Sequence, residues 1–152
     1  MSFESEVSNW KYSNFLTNKR SKFNKNDILS ILSKSEIDEA YRVISGWDNY
    51  FPTPLTSLNK LSQKLKLNKI FYKDESKRFN LKSFKALGGA YAVEKVSKGN
   101  KKIVISTATA GNHGRSVAWG SKKLGLKCKI FISEYVSEFR AKAMRSFGAD
   151  VI

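Results

Sequence analysis

Cysteine, histidine and proline are nearly missing from this chain, and each shortage removes a class of answer. Its 152 residues include one cysteine, Cys128, and one histidine, His113. That excludes an intramolecular disulfide and the usual His/Cys zinc clusters. The two prolines fall together in Phe51-Pro52-Thr53-Pro54-Leu55. Each lacks a backbone donor and biases its predecessor to an extended backbone, so this stretch is not helix interior. No apolar run approaches the roughly 18–20 residues of a membrane span. The opening Met1-Ser2-Phe3-Glu4-Ser5-Glu6 has neither the basic nor the apolar region of a secretory signal. A soluble, cytoplasmic chain is the expectation.

Acidic residues are also short, 13 against 28 basic ones, which leaves a net charge of +15. A basic surface is the footprint of phosphate recognition. Here, however, lysines outnumber arginines 22 to 6 and run along the whole chain. Bidentate phosphate grips and the commonest base contacts favour arginine. The excess therefore reads as a lysine-rich surface, and nucleic acid is not the expected partner.

What is present suits a folded domain: 41% hydrophobic and 12% aromatic residues, enough for one core. Residues 1–35 read as a polar N-terminal arm, with a short helix after Asp27 and a solvated charge run at Lys19-Arg20-Ser21-Lys22. From 36 to 152 the pattern is α/β. Ser35, with Asp38 three positions on, predicts a cap for an amphipathic helix over 36–46 carrying Ile37, Tyr41 and Ile44. Leu58, Leu61 and Leu65 predict a helix over 56–66, and Lys69 to Lys73 a strand. Asp74-Glu75 reads as a surface carboxylate pair. The remainder alternates: helix 84–97, strand 102–106, helix 112–124, strand 128–132, helix 137–147. A strand then begins after Gly148. Such alternation with tight connections predicts a parallel sheet with flanking helices. Its last strand holds only two apolar residues, which suggests a piece of a longer protein.

Two stretches carry the chemistry. Ser83-Phe84-Lys85-Ala86-Leu87-Gly88-Gly89 sets one lysine between a phenylalanine and a small-residue turn. Thr107-Ala108-Thr109-Ala110-Gly111-Asn112-His113-Gly114 joins a strand to a helix. Loops leaving one edge of a parallel sheet can face each other across a crevice. A partly desolvated lysine can form an imine with an aldehyde cofactor such as pyridoxal phosphate, which serves as an electron sink. Phe84 could pack beside the ring and Asn112 could hydrogen-bond its hydroxyl. Amides at the start of the 112–124 helix offer a carboxylate site, with Gly111 allowing close approach. Taken singly, Lys85 also reads as a solvated lysine, Gly111-Asn112-His113-Gly114 as a capped turn, and His113 as a packing or capping residue rather than a base.

These stretches also resemble a family. Ser83-Phe84-Lys85 with Gly88-Gly89, then Gly111-Asn112-His113, are similar to the pyridoxal-phosphate enzymes of the tryptophan synthase β-subunit fold, and within it to the diaminopropionate ammonia-lyase family. Further blocks carry the likeness in the same order. They are Glu39-Ala40-Tyr41-Arg42-Val43-Ile44, Pro52-Thr53-Pro54-Leu55, Lys73-Asp74-Glu75-Ser76-Lys77-Arg78-Phe79 and Asn112 through Trp119.

The resemblance implies that Lys85 carries the cofactor and moves the α-proton. Phe84 and Asn112 would contact pyridoxal phosphate, and Thr109, Ala110, Gly111, Asn112 and His113 would hold the carboxylate of a small amino-acid substrate. It implies loss of the β-amino group of 2,3-diaminopropionate, giving pyruvate and ammonia, in a homodimer. Two departures stand out. The lyase pattern has an aspartate where this chain has Ala110, a trait closer to threonine/serine dehydratases. The family's glycine-rich phosphate loop has no counterpart among the nine glycines. The 152 residues alone are therefore expected to bind the cofactor weakly and to turn over poorly or not at all.

Overall fold

In a computed structural model the chain is described over residues 24–152. It forms two compact units. Among the described residues, one comprises 24–38 with Thr53–Asp74, the other Glu39–Pro52 with Glu75–Ile152. The charge run at Lys19 to Lys22 lies outside the described residues.

In the first unit, Asn24 caps helix α1 (Lys25–Ile31), its side chain accepting from the Asn26 amide. Helix α2 (Lys34–Ser45), whose residues from Glu39 on belong to the second unit, begins after Ser33, not Ser35. The Ser33 Oγ accepts from the Glu36 amide at 3.2 Å, and Glu36 Oε2 accepts from the Ser33 amide at 2.8 Å. This reciprocal box satisfies two end donors. Asp38 is not part of it and pairs with Lys34 one turn away. The predicted 56–66 helix is also corrected. Leu55–Ser57 is strand β1, antiparallel to β2 (Phe71–Lys73), with Leu55 opposite Lys73. The Leu58 amide still donates to the Ile70 carbonyl, so the chain stays extended one residue further. Only then does α3 (Asn59–Lys64) form, burying Leu61 beside Leu58. Periodicity in the leucines is shared between a strand end and a helix face.

The second unit holds the parallel sheet. Strands β3 (Val104–Ala108), β4 (Lys127–Phe131) and β5 (Asp150–Val151) lie in that order, with Ile105 opposite Cys128 and Ile130 opposite Val151. Helices α4 (Lys85–Ser97), α5 (Asn112–Leu124) and α6 (Glu138–Arg145) accompany it. Alternation along the strands is clean: Ile105, Cys128 and Ile130 are buried, whereas Val104, Ser106, Lys127, Lys129 and Phe131 are exposed. The buried face packs with Val117 and Ala118 of α5 and Met144 of α6 in one core. Fully burying a side chain such as Ile130 contributes about 1.5–3 kcal/mol. Gly125 ends α5 at φ 65°, the left-handed cap that glycine adopts without a Cβ penalty.

Candidate active site

Lys85 is the first residue of α4, a helix whose inner side buries Ala86, Gly89, Ala90 and Val93. The buried Ser83 caps this end, its Oγ accepting from the Lys85 amide at 3.2 Å. Phe84 and Lys85 both point outward, Phe84 being 63% exposed. Among the described residues no carboxylate pairs with the Lys85 ammonium.

The second loop ends β3 and opens α5. Thr109 and Gly111 are half-buried, and Ala110, Asn112 and His113 are exposed. His113 therefore does not pack into the core. No side chain caps this helix. The first helical hydrogen bond runs from the Arg115 amide to the Gly111 carbonyl at 3.1 Å. Among the described residues the amides of Asn112, His113 and Gly114 are thus left without acceptors. Free amides at a helix start, with the positive end of its dipole, suit a carboxylate. Arg140 of α6 reaches the same loop, donating to the Ala110 carbonyl at 3.3 Å.

The two loops do not leave one edge of the parallel sheet. The strand nearest Lys85 in sequence is β2, which pairs with β1 in a separate sheet. What joins the loops is the contact of α4 with α5 through small residues. A Cβ built on Gly89 would lie 2.8 Å from the Ser116 Cβ, and one on Gly120 would lie 2.7 Å from the Ala90 Cα. Close approach lets the buried Ser116 Oγ donate to the Lys85 carbonyl at 2.5 Å. Arg115 adds a bond to the Leu81 carbonyl at 3.3 Å. Asn112 and Ser116 are four residues apart on α5, so they share a face, about 6 Å apart along the axis. The face that grips the lysine backbone is the face that begins at Asn112.

The turn leading into the lysine is held on both sides. Phe79, Asn80 and Lys82 have left-handed φ of 46°, 58° and 55°, a conformation costing non-glycine residues roughly 1–2 kcal/mol each. Arg78, 4% exposed, donates to both oxygens of Glu75, at 2.7 and 3.0 Å, and to the Phe51 carbonyl at 2.8 Å. The hydrogen bond it donates to Glu75 holds the Arg78 guanidinium above its ordinary pKa. The Phe79 ring stacks on Trp119 with centroids 4.9 Å apart and lies 6.0 Å from Trp47. Glu75 is thus no surface carboxylate: its partner is buried, and it anchors the turn.

Sequence reasoning missed Ser116, Arg140 and the Arg78–Glu75 pair. The signal for the first was available in Ser116 and Gly120, small residues one turn apart, opposite Gly88-Gly89-Ala90. The other two depend on tertiary contacts that no local pattern announces.

The exposed, unpaired Lys85 amine, the open flank at Phe84 and the free amides at α5 fit the lysine and carboxylate sides of a pyridoxal phosphate site. The likeness to known proteins agrees. A diaminopropionate ammonia-lyase of Salmonella typhimurium is 37% identical over 154 residues, covering 87% of this chain and 38% of that protein. A biosynthetic L-threonine dehydratase of Haemophilus influenzae is 39% identical over 101 residues, 66% of this chain and 19% of the other. The crystal structure of the holo diaminopropionate ammonia-lyase of Escherichia coli superposes with a TM-score of 0.72 at 35% identity, covering 79% of this chain and 35% of that one. The chain thus spans less than two fifths of the length of the ammonia-lyases it matches. Residues 47–152 match the model of the pyridoxal-phosphate dependent enzymes, and the chain belongs to that family.

Proposed function

We propose that this chain carries the lysine-bearing portion of a pyridoxal-phosphate dependent ammonia-lyase acting on 2,3-diaminopropionate. The observation that carries the reading is the bond from Ser116 to the Lys85 carbonyl, which ties an unpaired lysine to the helix whose free amides begin at Asn112. Held at Lys85, pyridoxal phosphate supplies an electron sink for a carbanion at the substrate α-carbon. Phe84 would lie beside the cofactor ring and Asn112 would hydrogen-bond it. The segment Thr109, Ala110, Gly111, Asn112 and His113 would receive the α-carboxylate, through the free amides at the start of α5. Once the substrate amine has displaced it, Lys85 Nζ would take the proton from the α-carbon. Loss of the β-amino group as ammonia then leaves a three-carbon enamine, and hydrolysis gives pyruvate and a second ammonia. A full-length chain of this kind is expected to be a homodimer.

A second reading, a threonine/serine dehydratase, is favoured by Ala110, whose methyl cannot take a proton where the lyase pattern has a carboxylate. Rates of an intact relative with alanine at this position, on 2,3-diaminopropionate and on threonine, separate the two.

The test on the chain itself is a pyridoxal phosphate titration of the 152 residues beside Lys85→Ala, followed by borohydride reduction and peptide mapping. Label concentrated on Lys85 and lost in the variant supports the reading. Equal, non-saturating label on the lysines at large overturns it for this chain.

A further inference from the structure

We infer that Ser116 is a positioning residue for Lys85: its hydroxyl sets where the lysine stands relative to the carboxylate-binding start of α5. The inference rests on the proposed role of Lys85 and goes beyond it, since the buried Ser116 hydroxyl acts on the lysine backbone rather than on its amine.

Four observations carry it. Ser116 is 1% exposed, and its hydroxyl donates to the Lys85 carbonyl at 2.5 Å. This carbonyl belongs to the first residue of α4, the point from which the lysine side chain leaves. The contact exists only because residue 89 is glycine, a Cβ there falling 2.8 Å from the Ser116 Cβ. Ser116 also lies one turn beyond Asn112 on the same face of α5. A single hydrogen bond therefore connects the amine-bearing backbone to the helix that receives the substrate. Gly89, Ala90 and Gly120 bring α4 and α5 into close contact, and a directional bond from a buried donor adds a fixed point at the lysine. Arg115 makes the companion bond to Leu81 from the neighbouring position, steadying the turn rather than the lysine itself.

The experiment uses the 152-residue chain with pyridoxal phosphate as the probe. After borohydride reduction, mass spectrometry reads the share of label on Lys85 against the other lysines, alongside the unfolding midpoint of each protein without the probe. Ser116→Ala deletes one oxygen and keeps the packing. Ser121→Ala is the control, an equally buried serine of α5 that faces Cys128. The expected result is a roughly tenfold lower Lys85 share in Ser116→Ala, within the loss that a displacement of up to about 1 Å can cause. Ser121→Ala should keep the wild-type share, and both variants should stay folded. Should Ser116→Ala unfold, Ser116→Cys fills the same space with a weaker donor and should give an intermediate share. A Lys85 share equal to wild type in a folded Ser116 variant overturns the inference alone. A wild-type chain that does not favour Lys85 overturns the role of the lysine in this chain, and the inference with it.

Discussion

Arg78 and Glu75 form a two-pronged pair inside the turn that delivers Lys85, with the Arg78 Nε 2.7 Å from Glu75 Oε2 and the Arg78 side chain almost wholly buried. The third arm of the guanidinium reaches the Phe51 carbonyl at 2.8 Å. Glu75→Gln leaves that buried cation without its counter-charge. A partner removed from a buried pair costs about 3–5 kcal/mol, and urea unfolding should show a loss of that size. Because Glu75 raises the Arg78 pKa, the guanidinium stays charged at any pH where the fold survives. Its stabilising effect is present below its unfolded pKa and is lost only above its folded one, so neutral and alkaline buffers should give the same deficit. A change of under about 0.5 kcal/mol, the size of an ordinary surface substitution, would mean that the pair is incidental.

The neighbouring helices α4 and α5 carry glycines that should respond in opposite directions. At Gly88 an added Cβ meets nothing within 4 Å. Gly88→Ala therefore gains helix propensity, up to about 1 kcal/mol, and should raise the thermal midpoint. At Gly120 of α5 the Cβ would strike the Ala90 backbone at 2.7 Å, which cannot move aside. Overpacking costs roughly 1–3 kcal/mol, more than propensity returns, so Gly120→Ala should lower the midpoint. Equal shifts at the two sites would disprove the close helix contact.

Cys128 supplies an alkaline signature. Burial pushes its thiol up from the ordinary range. A folded pKa above the unfolded one means that the neutral thiol is favoured in the fold, so stability falls as pH rises past the unfolded value, where the unfolded chain gives up its proton first. Stability should thus fall on the alkaline side of the ordinary thiol pKa. In Cys128→Ala this slope should flatten, whatever the cost of the smaller side chain. A thiol reagent should also modify wild type faster in urea than in native buffer.

Much of the second unit is legible in the residues alone. Strand–helix alternation from Lys85 onward is written in local patterns, and α5 matches its expected range of Asn112–Leu124. The first unit is harder because Leu55, Leu58, Leu61 and Leu65 fit a helix, whereas the partner of Leu55–Ser57 lies about sixteen residues on, in Phe71–Lys73. Cross-strand pairing leaves no local trace. At the site, the residue types are readable but their meeting is not. Two stretches expected along one sheet edge meet through the α4–α5 contact instead, and that contact depends on which small residues face each other. No helix among the described residues is long and apolar enough to cross a membrane, in line with the sparse apolar runs.

The left-handed turn before Lys85 is open to test at Lys82. This residue is exposed and sits at φ 55°, so its side chain adds strain without any packing to offset it. Lys82→Gly removes a cost of roughly 1–2 kcal/mol and adds an unfolded-state entropy cost of about 0.5–1 kcal/mol. The net effect should be neutral or slightly stabilising. Lys82→Val places a β-branched residue where the left-handed region is least tolerant, and should destabilise. Urea midpoints in the order Gly at or above Lys, with Val lowest, would support the left-handed turn. If Val matched Lys, the backbone at this position would be extended or right-handed. The path by which Glu75, Arg78 and Phe79 aim the chain into Lys85 would then need to be redrawn.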